Sequence, residues 1–96
     1  MILHTLNASP SSAAFSECLR IIDAGDALVL MGDGAYAALA NTDASRALQC
    51  TSAALYVLAA DAQASGVSDV ADGVGRIDMD GLVALTEDFP RQQAWY

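Results

Sequence analysis

The chain has 96 residues, 54% of them hydrophobic, with 12 acidic against 4 basic side chains and a net charge of −8. A chain this short builds one hydrophobic core, so residues 1–96 are expected to form a single domain. With no lysine and with Arg20, Arg46, Arg76 and Arg91 scattered, no basic patch exists to neutralise phosphates, which argues against direct nucleic-acid binding and against attraction to an anionic membrane.

Met1 to Leu6 reads as a short strand, and Asn7 to Pro10 as a turn with Ser9 capping a helix that has Pro10 at its first position. Phe15, Cys18, Leu19 and Ile22 then recur at helical spacing as an apolar stripe, with Gly25 where a C-terminal cap belongs. Ala27 to Met31 is apolar without alternation, the pattern of a strand buried on both faces of a parallel sheet. Gly32-Asp33-Gly34 breaks that run. The Asp33 carboxylate is expected to accept from free N–H groups of a helix over Ala35 to Leu39, with orienting a partner group as the competing reading. This turn lies at the carboxyl end of a strand, where function gathers in open α/β sheets.

Asn41-Thr42-Asp43 offers caps for a short helix over Ala44 to Cys50. Ala54 to Leu58 is a third strand, with Asp61 expected as the cap of a short helix that Gly66 ends. Val74 to Asp78, partly polar, reads as a fourth strand near a sheet edge, and Asp80 as the cap of a last helix, Leu82 to Asp88, stopped by Pro90. The expected fold class is α/β, a small three-layer α/β/α domain with a mostly parallel central sheet. No apolar run approaches the ~20 residues of a membrane span, and the first residues lack the basic region and long apolar stretch of a secretory signal, so a soluble cytoplasmic protein is expected.

Among chemistry-bearing residues, Cys18 and Cys50 have no CxxC spacing and no His or carboxylate cluster nearby, so neither a metal site nor a cofactor is signalled, and free thiols are expected. Cys18 lies on the apolar stripe, where a thiol is an inert small hydrophobe with a raised pKa; the competing reading is a reactive thiolate. His4 reads as a histidine near a strand end, bonded to backbone, with a proton shuttle as the competing reading. Trp95 and Tyr96 close the chain. Either they anchor a partner or they dock on the protein's own last helix. The high apolar fraction favours an obligate interface, against the alternative of an alanine-rich monomer.

The stretch Leu3-His4-Thr5-Leu6-Asn7 with Ser9-Pro10, the Gly25-Asp26 and Asp33-Gly34 pairs followed by Ala37-Ala38-Leu39, Tyr56-Val57-Leu58 and the closing Ala94-Trp95 resemble the TusB/DsrH family of small sulfur-relay subunits. The likeness runs the whole length. It implies a compact α/β domain with a parallel sheet and assembly with TusC-like and TusD-like sister subunits into a heterohexamer of two copies each. That complex would relay persulfide sulfur, exchanging it with sulfur-carrier proteins, toward 2-thiouridine at the tRNA wobble position. Expressed alone, the chain is expected, from its apolar fraction, to form homodimers or higher self-association through the same apolar surface. DsrH-like relatives carry a cysteine in the corresponding first helix, which implies an alternative role for Cys18 as a persulfide carrier in a DsrEFH-type complex of sulfur oxidation. The chain departs from the family pattern at Asp61, Ala62, Ser65 and Gly66, where an arginine is absent, and at Asp78, Met79, Gly81, Leu82 and Val83, where a tyrosine is absent.

Overall fold

Ala27–Leu30 is buried at every position, as its unbroken apolar run requires, and it is the middle strand of the sheet. The computed structural model describes residues 1–96. In chain order the elements are β1 (Ile2–Leu6), α1 (Ala13–Ile21), β2 (Ala27–Leu30), a 3-10 helix (Gly32–Ala38), α2 (Asp43–Gln49), β3 (Ala54–Leu58), α3 (Ala59–Ala64), β4 (Val74–Ile77), α4 (Met79–Asp88) and β5 (Arg91–Trp95). The five strands run in the order β4-β3-β2-β1-β5, and every pairing is parallel. This is an α/β fold. No helix is long and apolar enough to cross a membrane.

The two faces of the sheet are unequally covered. Leu6, Leu28, Leu30, Leu55 and Val57 point to one face, where Phe15 and Cys18 of α1, Ala35, Ala37 and Ala38 of the 3-10 helix, Leu48 of α2 and Ala62 of α3 close over them. Leu3, Ala27 and Val29 point to the other, where Leu82 and Leu85 of α4 and the adjoining Phe89 pack. The alternation is the strand period of two.

Several local expectations are corrected. Helix α1 starts later than Ser9-Pro10 suggests, because Ser9 to Ser12 closes its own turn, the Ser12 N–H donating to the Ser9 carbonyl at 3.0 Å, and Ser12 becomes the cap, its Oγ accepting from Phe15 N. Proline suits a turn as well as a first helical position. The helix ends at Ile22, so Gly25, with φ of 89°, serves the following turn. The expected helix over Ala35 to Leu39 is instead the 3-10 helix, wound one residue tighter from Gly32 onward. Asp61 and Asp80 are not caps: α3 follows Leu58 directly, and α4 is capped by Asp78, whose Oδ1 accepts from Gly81 N at 2.8 Å. The largest departure is β5. Its sequence, RQQAW, has no β-branched residue and no apolar alternation, and it is a strand because β1 pairs with it from Ile2↔Arg91 to Leu6↔Trp95.

Candidate functional site

At the carboxyl ends of the strands the turn after β2 folds down onto the end of β1. Met31 N donates to the Leu6 carbonyl at 3.1 Å, and a Cβ on Gly34 would stand 2.3 Å from that same oxygen, so only glycine fits there. Gly32, with φ of 54°, donates its N–H to Asp61 Oδ2 at 2.8 Å, and the Asn7 amide occupies the space where a Gly32 side chain would project. The crevice is thus filled by the protein itself. Asp33, the residue expected to cap this turn, is exposed and makes no capping bond; Asp61, in the first turn of α3, supplies a carboxylate instead.

Cys18 is fully buried in the major core under α1, and removal from water pushes its thiol up to about 11. A thiol at that value holds roughly one thiolate in ten thousand molecules at neutral pH. Cys50, at the C-terminal end of α2, is exposed beside Leu19, Ile22 and Ala47 in a shallow groove between α1 and α2. No three His, Cys, Asp or Glu side chains gather in a way that would hold a metal ion.

His4 is the correction of most consequence. It stands in the middle of β1, fully buried, and its partners are side chains, not backbone. Indole is a donor only, so Trp95 Nε1, 3.1 Å from His4 Nδ1, makes that nitrogen the acceptor. Nε2 must then carry the proton, which it donates to Asp26 Oδ2 at 3.0 Å. Asp26, 6% exposed just ahead of β2, also accepts from Ile2 N at 2.9 Å through Oδ1 and from Asp23 N at 3.0 Å through Oδ2. Burial by itself raises the Asp26 pKa, but the Asp23 amide, the His4 ring and the Ile2 amide together hold it below the ordinary carboxylate value. The result is a directional relay, Trp95 to His4 to Asp26, from β5 through β1 to the residue ahead of β2, with the imidazole and indole rings stacked at 6.3 Å.

Of the residues singled out from sequence, the structure therefore joins His4 and Trp95, leaves Cys18 in the core, and leaves Asp33 and Tyr96 in solvent, the latter 85% exposed. Asp26 carries its own local signal: a lone carboxylate directly against a wholly buried strand needs donors.

Comparison with known proteins places this architecture. A family profile described as "DsrH like protein" matches residues 8–92. "Protein TusB" of Pectobacterium parmentieri is 43% identical over 98% of this chain and 100% of its own length. The chain belongs to the TusB/DsrH family. Another relative, "Protein TusB" of Klebsiella pneumoniae (strain 342), is 41% identical over the same shares of the two chains. Among solved structures, the ychN protein of E. coli has the same fold, with a TM-score of 0.73 at 16% identity over 97% of each chain. Protein Tm0979 of Thermotoga maritima gives a TM-score of 0.69 at 24% identity, covering 92% of this chain and 93% of that one. The relay ties together the Leu3-His4-Thr5 opening and the Ala94-Trp95 close of the chain.

Proposed function

We propose that this chain, as one domain over residues 1–96, is an accessory subunit of a cytoplasmic sulfur-relay complex that serves 2-thiouridine formation at the tRNA wobble position. Its partners are TusC-like and TusD-like sister subunits, two copies of each, and sulfur reaches carrier proteins through the assembled complex. The observation that carries the accessory role is the state of Cys18. A persulfide carrier needs a thiolate and an approach for a partner's sulfur, and Cys18 is fully buried with its thiol pushed up to about 11. The reacting cysteine is accordingly assigned to a sister subunit. A net charge of −8 suits contact with proteins and not with tRNA. Within the complex, Tyr96 and Asp33, both exposed, contact a partner, while His4 and Trp95 hold the subunit's own last strand in place.

Mass spectrometry after mixing with a persulfide donor tests this reading. No adduct of ~32 Da is expected at Cys18, and Cys18→Ala is expected to leave relay through the reconstituted complex undiminished. A donor-dependent adduct lost in Cys18→Ala would establish the carrier role instead.

A further inference from the structure

The second face of the sheet lacks enough of this chain to cover it. Five strands at about 4.8 Å spacing are roughly 19 Å across. Only α4, roughly 10 Å wide, lies on that face, while α1, α2, α3 and the 3-10 helix share the other. Parallel sheets occur in water with both faces covered. Here Ala94 is exposed and its register neighbour Thr5 only half-buried, and α4 itself has no buried residue.

The chemistry of α4 indicates what completes the layer. At about 100° per residue, Leu82 and Leu85 define the inward side of the helix, and Met79 and Val83, one turn apart, lie together on its flank. These two are 57% and 50% exposed, large for apolar side chains. Asp80 and Glu87 border them on the solvent side, Asp78 and Asp88 stand at the helix ends, and the helix has no Lys or Arg. A second copy of this chain, docked about a two-fold axis, would set those carboxylates against themselves. A different chain with an apolar centre and a basic rim would not.

We propose that the flank of α4 centred on Val83 is the docking surface for one of the sister subunits, which presents an apolar patch edged with Lys or Arg and completes the uncovered layer. The proposal rests on the relay-complex reading above. Its test is calorimetric titration of the full chain with the two sister subunits, separately and together. Val83→Arg is expected to weaken association at least tenfold with the melting temperature unchanged, since the side chain is half in solvent. Ile21→Arg, on the opposite layer and 49% exposed, is expected to bind within twofold of wild type. Asp80→Lys is expected to weaken binding and to flatten its salt dependence, which gives a second readout should Val83→Arg fold poorly. Wild-type affinity in both α4 variants would overturn the docking surface and leave the relay-complex reading standing. Failure of the wild-type chain to bind either sister would remove that reading and the proposed partner with it. Self-association of the isolated chain that Val83→Arg abolishes would assign the face to a second copy and overturn the heterotypic contact.

Discussion

Asp26→Asn is the substitution that most sharply probes the Trp95–His4–Asp26 relay. The carboxylate accepts three hydrogen bonds, from Ile2 N, Asp23 N and His4 Nε2. An asparagine keeps one oxygen; turned to the Oδ2 position it still accepts from Asp23 N and His4 Nε2, but its amide nitrogen then faces the Ile2 N–H. The opposite orientation is worse, because it sets the nitrogen against two donors, and the histidine has no escape by changing tautomer when Nδ1–H would oppose the Trp95 indole N–H. One donor is thus left unmatched, and the two bonds that remain lose their charge. At roughly 1–3 kcal/mol for such a group, the expected loss is about 2 kcal/mol. For a domain of this size that lowers the melting temperature by roughly 8–16 °C. The loss should also depend on pH in a definite direction. Because the folded-state pKa of Asp26 is depressed, its contribution is present above the unfolded carboxylate value of about 3.9 and disappears as pH falls through the lower folded value. Chemical denaturation at pH 7 and again at decreasing pH measures both effects. Trp95→Phe completes a double-mutant cycle, and the two substitutions should be non-additive by more than ~0.5 kcal/mol, since both act through one imidazole. A loss under ~1 kcal/mol for Asp26→Asn at pH 7, or strict additivity with Trp95→Phe, would refute the fixed-tautomer reasoning.

Two further outcomes follow from single observations. Gly34→Ala places a methyl group 2.3 Å from the Leu6 carbonyl oxygen, a backbone atom that cannot swing away, so it should destabilise by more than ~2 kcal/mol in denaturant titration; a near-neutral result would mean that the turn after β2 is not held against β1. Cys18, raised by burial from 9.0 to about 11, favours the folded state only while the thiol is neutral. Its contribution is complete below the unfolded value and is lost as pH climbs through the folded one, so wild type should lose about 2 kcal/mol more than Cys18→Ala between pH 8 and pH 11, and parallel curves would show an open thiol.

The strand pattern was legible from local sequence wherever burial acts on both faces. Ala27 to Met31 announces itself because a strand in the middle of a parallel sheet has no solvent side to mark with polar residues, and Ala54 to Leu58 follows the same apolar pattern although Ala54 is exposed. The same logic put Val74 to Asp78, partly polar, near an edge; the strand Val74–Ile77 lies there, with Gly75 and Arg76 exposed. The stripe of Phe15 and Cys18 likewise followed from helical spacing alone. What local sequence did not carry was β5, because a strand built from Arg, Gln, Gln, Ala and Trp owes its form to hydrogen bonds with a partner strand some ninety residues away. The caps were misassigned to Asp33, Asp61 and Asp80 for a related reason: these and Asp78 are equivalent in type, and only the folded backbone decides which carboxylate meets which free N–H. The identity of the relay is the clearest case. Sequence marked His4 and Trp95 as singular residues at opposite ends of the chain, and family resemblance alone joined those ends in one pattern. That they touch, that Asp26 is the third member, and that the proton sits on Nε2 are consequences of β1 lying between β2 and β5, a long-range arrangement that no local periodicity encodes.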